Sequence, residues 1–158
     1  MNKPVVFLRM AAVLTFIHAV LHTVGGVFGH VGPGPAAVAV QAMKINQFLL
    51  MGHLRSFWDF YRGLGLGATI SLTSESIVFW QLASLAKTEE RRLLPILITF
   101  TVAYSVLAVN SYAYFFIGPV IVEILIAACL GMAIFTSKSH SAVHQGADPI
   151  GQVHEGRR

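Results

Sequence analysis

Cys129 is the only cysteine among the 158 residues, so no disulfide can close within the chain and Cys-x-x-Cys redox chemistry is excluded. Charge is scarce too. Only 11% of residues are charged against 55% hydrophobic, and mean hydropathy is +0.68. Soluble domains carry about 25% charged residues, so an ordinary water-soluble fold is excluded and a chain built for a bilayer is indicated. The sparse charges are net basic, formally +4. They form no basic face and do not alternate with aromatics, which excludes a nucleic-acid partner. They serve instead as topology signals and as weak contacts to anionic head groups. Metalloenzyme signatures are missing as well: there is no His-Glu-x-x-His and no cysteine-rich pattern. The run GLGLG at 63–67 has neither the strand before it nor the Lys-Ser/Thr after it that a phosphate loop needs. It reads as a place where helices pack closely.

What the chain does have is long apolar runs. A bilayer core about 30 Å thick takes roughly 20 residues of helix, and four stretches meet that length: 5–28, 57–85, 93–114 and 116–136. The first resembles a signal peptide, with Lys3 and Arg9 flanking apolar residues. It is too long for one, holds two histidines and lacks a small-x-small cleavage site, so it is read as a retained span. Between the last two spans, YFFIGP makes a tight turn, with Gly118-Pro119 opening the final helix. Between the first two, HVGPGP breaks the chain, and AAVAVQAMKINQFLLMGHLRS is too polar to span. An interfacial helix is expected there. From 137 to 158 the composition turns to Gly, His and Ser, and a disordered polar cytoplasmic tail is expected. In that tail His140 and His144 have chelate spacing.

The sequence therefore predicts an all-α protein, a four-transmembrane-helix bundle over 1–136 with an interfacial helix between spans 1 and 2. Lys3, Arg9, Lys87, Arg91, Arg92, Lys138, Arg157 and Arg158 fall on one side, and Lys44, Arg55 and Arg62 on the other. The positive-inside rule then puts both termini in the cytoplasm, in a bacterial inner membrane. Trp58, Tyr61, Tyr112 and Tyr114 near one interface and Trp80 near the other fit an aromatic belt.

A charge at the bilayer centre costs about 2.5–3.5 kcal/mol, so the few polar residues inside the spans should face inward and have partners. His18 and His22 are one turn apart in span 1, and Glu123 lies two turns into span 4. Asn110 is near the outer end of span 3, Asp59 and Arg62 are at the mouth of span 2, and Glu75 is deeper in span 2 within TISLTSES. At 100° per residue, inward stripes are expected along His18, His22, Gly25 and Gly29; Gly63, Gly67, Ser71 and Glu75; Thr99, Ala103, Val106 and Asn110; and Glu123, Ala127 and Gly131. Arg9, on the opposite side from His18, is expected to snorkel.

Several chemistries fit these residues. The histidines can hydrogen-bond backbone carbonyls across a helix interface. His18, His22 and Glu123 can ligate a metal, or His30 and His53 can assist a haem. His18, His22, Glu123 and Glu75 can act as acid–base catalysts. A buried Glu123 can also sit as a neutral carboxyl hydrogen-bonded within the bundle.

Two sequence patterns resemble known groups. His18, His22, Thr23 and Gly25, followed by Trp58, Asp59, Phe60, Tyr61, Gly63 and Gly65, resemble the H-x3-H-T-x-G and W-D-F/L-Y-x-G-x-G pair of small four-span bacterial membrane proteins of uncharacterised function. That resemblance covers most of the chain except the tail. The segment FIHAVLH is similar, more distantly, to the FIH-x-V-L-E of the EXPERA group, which includes sterol isomerases and the sigma-2 receptor. That likeness implies a four-helix bundle around an apolar cavity. His18 matches the family's histidine and His22 replaces its glutamate. Glu75 stands near its second-helix acid, and Asp59, Tyr61 and Arg62 echo its D-x-R-Y.

The leading expectation is an intramembrane polar pocket binding a small apolar or amphipathic molecule such as a lipid, quinone or isoprenoid, through His18, His22, Asn110, Glu123 and Asp59. One alternative is an acid–base isomerase or membrane oxidoreductase subunit. Another is an accessory structural subunit, with a homo-oligomer or larger membrane complex as its partner. The cofactor is left open.

Overall fold

The computed structural model describes residues 3–88 and 90–145. Among them the chain is mostly helical. Helix α1 (Lys3–Leu21) runs directly into a π-helical turn, His22–Val27. There follow α2 (Pro35–Ile45), strands β1 (Gln47–Leu50) and β2 (His53–Ser56), and then α3 (Phe57–Leu85), α4 (Glu90–Tyr114) and α5 (Ile117–Gln145). Three stretches, Lys3–Val27, Arg92–Tyr114 and Ile117–Ser137, are long and apolar enough to cross a membrane. With 29 residues, α3 is about 43 Å long at 1.5 Å per residue. Its glycines and hydroxyl residues dilute it, however, and it is not one of the three.

The segment expected to be one interfacial helix is two structures. α2 stops at Ile45, where Asn46 turns extended (φ −83, ψ 101) and its Nδ2 donates to the Ala42 carbonyl at 2.8 Å. Beyond it, β1 and β2 pair antiparallel from Gln47↔Ser56 to Leu50↔His53. The two-residue tip has positive φ at both Met51 (50°) and Gly52 (84°), the combination that matches the twist of a tight hairpin. The apolar run FLLM fits helix or strand equally, and the glycine at the tip decides for the hairpin.

The chain forms two compact units. In the unit Ala12–Phe79, the π-helical turn and the second half of α1 face α3. Thr15, His18, Ala19, Val27, Ser56, Ser76 and Phe79 are buried there. The start of α3 is a capping box: Ser56 N and Oγ donate to Asp59 Oδ2 at 2.8 and 2.9 Å, and Asp59 N donates back to Ser56 Oγ at 3.2 Å. Phe48 of the hairpin packs on Phe57 and Phe60 of α3, with ring centroids 5.1 and 6.1 Å apart.

The other unit contains Met1–Ala11 and Trp80–Arg158, and its main feature is the antiparallel pair α4 and α5. Their joint is as short as expected. Phe115 N donates to Ser111 O at 2.9 Å, and a Cβ on Gly118 would come within 2.7 Å of the Phe116 ring. The guanidinium of Arg9 lies 5.2 Å over the exposed Trp80 ring. α5 continues as helix through 137–145, where the start of a disordered tail is expected. Residues 146–158 lie outside the described residues.

Two of the expected inward stripes are wrong in phase. On α4, Thr99, Ala103, Val106 and Asn110 are exposed, while Leu93, Leu97, Tyr104, Ala108 and Ser111 are buried. Thr99 satisfies its own hydroxyl on the Pro95 carbonyl at 3.0 Å, and Ser111 bonds Glu123 of α5. On α3, Gly63, Gly67 and Ser71 are exposed. The inward row is Gly65, Thr69, Thr73 and Ser76.

Candidate functional site

Within the unit Ala12–Phe79, a polar seam joins the first span to α3. From the N-terminal end of α3 onward, Tyr61 Oη donates to the Gly26 carbonyl at 2.9 Å. His22 Nε2 lies 3.1 Å from the Gly65 carbonyl, an acceptor only, so the ring proton of that bond is on Nε2. Thr23 Oγ1 and Thr69 Oγ1 are 2.9 Å apart, and further on Ser76 Oγ donates to the Ala12 carbonyl at 2.9 Å. The π-helical turn aims the first members. Phe28 N reaches back five residues to Thr23 O at 3.0 Å, and Thr23 Oγ1 also bonds Ala19 O at 2.6 Å, a back-bond that distorts helices. The wider turn presents His22, Thr23 and the Gly26 carbonyl to α3. Such π-turns occur often at functional sites. The close approach depends on Gly65, where a Cβ would stand 2.9 Å from Val27 Cγ2.

The two motifs His18-x3-His22-Thr23 and Trp58-Asp59-Phe60-Tyr61-x-Gly63-x-Gly65 are therefore hydrogen-bonded to each other. His22 takes the backbone role that its sequence position allows. His18, one turn deeper, does not: it is 8% exposed, and its Nδ1 is buried with no hydrogen-bond partner.

The α4–α5 pair holds the buried acid. Glu123 is 5% exposed, and its Oε1 accepts from Ser111 Oγ at 2.9 Å. Its Oε2 is buried without a partner. A buried polar atom lacking its bond costs about 1–3 kcal/mol, and lipid hydrocarbon offers no water to replace it. Ser111 was not anticipated, because Asn110, one position away, is the stronger polar signal. The only clue was that a small hydroxyl twelve residues from an acid, across a tight helical turn, falls at the acid's height.

The remaining candidates are elsewhere. Asn110 is exposed, on a different face of α4 from Ser111. Glu75 is part-buried on α3, and His30 and His53 are exposed. Asp59 is engaged by Ser56 in the helix cap, and it also lines an open groove of about 380 Å³ with Leu50, Met51, His53, Arg55, Phe60, Gly63 and Leu64. Among the described residues, no three His, Cys, Asp or Glu side chains gather as a metal-holding group. The side chains of His140 and His144 lie outside the described residues. Comparison with family models, curated proteins and solved structures finds no match.

Proposed function

We propose that this chain is an integral membrane protein that crosses the bilayer four times with both termini cytoplasmic, and that it holds a small apolar or amphipathic molecule, a lipid, quinone or isoprenoid, within the membrane. The fourth crossing is α3. Several of its polar residues are turned onto the first span, where Gly65, Thr69 and Ser76 take part in the seam, while Leu64, Ile70 and Ile77 are 75%, 67% and 55% exposed. Its low apolarity thus reflects an inward face that is satisfied by hydrogen bonds, and its outward face suits lipid.

The observation that carries the ligand reading is Glu123 Oε2, buried in the α4–α5 pair without a partner; in the unit Ala12–Phe79, His18 Nδ1 is buried without a partner as well. Every other buried side-chain polar atom among the described residues is bonded. A head group with a hydroxyl or carbonyl offers each of these atoms what lipid tails do not. The test is small-molecule mass spectrometry on the detergent-purified full chain, with His18→Leu and Glu123→Leu alongside. A stoichiometric molecule that stays with the parent chain and is lost from Glu123→Leu is the expected result, and His18→Leu puts the same question to the other unit separately. A folded parent chain that carries nothing, or variants that keep the molecule, would reject the reading.

A further inference from the structure

The groove at the top of α3 combines features that the buried atoms do not explain. One wall is the hairpin, Leu50, Met51, His53 and Arg55; the floor is the first two turns of α3, Asp59, Phe60, Gly63 and Leu64. Its lining is apolar except at one end. There Arg55 uses a single N–H, from Nη1 to the adjacent Leu54 carbonyl at 2.9 Å, although a guanidinium carries five donors in a planar fork. The nearby acid, Asp59, has Oδ2 occupied by Ser56. Two more cations stand at the same end of this unit, and both lie over aromatic rings: Lys44 Nζ is 4.7 Å from Trp58 and the Arg62 guanidinium 5.2 Å from Phe28. The charges of Arg55 and Arg62 both act on the Asp59 carboxylate, while Arg55 makes no side-chain hydrogen bond beyond that to Leu54 among the described residues.

A Cβ at Gly63 would meet nothing within 4 Å, so the floor of the groove is open there, beside Phe60 and Leu64. Arg55 beside a groove lined by Leu50, Met51, Phe60 and Leu64 has the layout of a lipid site, a cation next to an apolar surface. We infer that this groove binds one membrane phospholipid, with its phosphate on Arg55 and one acyl chain laid along Phe60, Gly63 and Leu64. Charge selects the occupant. A phosphate accepts the free fork of Arg55 in two parallel bonds, and the Arg55 charge favours an anionic head group. The trench then excludes head-group anions that have no tail. The site is separate from His18 and Glu123 and rests only on the membrane placement of α3.

The experiment is native mass spectrometry of the full chain in detergent, titrated with dioleoylphosphatidylglycerol, and it reads the number of lipids retained. One lipid per chain is expected. Arg55→Gln should weaken retention about tenfold, with Arg55→Lys falling between, because an ammonium keeps the charge and loses the fork. Gly63→Leu, which places a side chain into open space and leaves the fold intact by helical circular dichroism, should weaken it by a similar factor. Full retention in both Arg55→Gln and Gly63→Leu would overturn the inference. So would loss in Arg55→Gln alone, or displacement of the lipid by millimolar inorganic phosphate, since either result describes an anion site without a chain trench. The count of phosphatidylglycerol is independent of the co-purifying molecule tested through His18 and Glu123, so the two readings fail separately.

Discussion

The three glycines of GLGLG provide a sharp test of helix phase, because they are chemically identical and differ only in where α3 turns them. Alanine at Gly63 or Gly67 adds a methyl to empty space. Removing a mid-helix glycine gains up to about 1 kcal/mol in soluble helices, so Gly63→Ala and Gly67→Ala should leave the protein as stable as the parent or slightly more so. Alanine at Gly65 receives the same propensity gain, but its Cβ would lie 2.9 Å from Val27 Cγ2. Valine is β-branched with a stiff χ1, so relief requires the π-helical turn or α3 to shift. Overpacking of this kind costs about 1–3 kcal/mol, and a shift also stretches the bond between His22 Nε2 and the Gly65 carbonyl. The difference between Gly65→Ala and Gly63→Ala cancels the propensity term and isolates the contact, with an expected value of about 1–3 kcal/mol. Reversible unfolding in mixed micelles, titrating sodium dodecyl sulfate and following helicity, measures it. If the three variants agree within about 0.5 kcal/mol, the ordinary spread for exposed positions, the seam does not pass through Gly65 and the reasoning is refuted.

Two further outcomes follow from the hydrogen bonds. Ser111→Ala should destabilise by about 1–3 kcal/mol, because Glu123 then has neither carboxyl oxygen bonded. Asn110→Ala, one residue away but exposed, should change stability by less than about 0.5 kcal/mol, and the same unfolding titration reads both. Ser56→Ala opens the capping box and should cost about 0.5–2 kcal/mol. An equal loss in Asp59→Ala, with no further loss in the double variant, would show that the two residues act as one cap, whereas additive losses would contradict it.

The membrane character of the chain was legible because it depends on composition and run length, and neither requires knowing a neighbour. The helical spans at 5–28, 93–114 and 116–136 correspond closely to Lys3–Val27, Arg92–Tyr114 and Ile117–Ser137. The inward placement of His18 and Glu123 was legible for a related reason: a polar group on a helix that crosses lipid is costly on the lipid side. Less was legible where two readings of one segment are almost equal locally. FLLMGHLR fits helix or hairpin, and the positive φ at Met51 and Gly52 settles it through contacts between strands.

Phase was the hardest feature to read. Neighbouring residues on a helix differ by only 100° in direction, so Asn110 and Ser111, or Gly63 and Gly65, are equally plausible from periodicity alone. Which of them faces inward depends on what the opposing helix presents: Glu123 opposite Ser111, and His22 and Val27 opposite Gly65. By itself the sequence determined that this protein is helical, has stretches long and apolar enough to cross a membrane, and is sparing with charge, because those properties are sums over the chain. Which polar atoms are paired and which are left open was decided by the tertiary structure, because a hydrogen bond requires two groups from distant segments within about 3 Å, and no local pattern carries that distance.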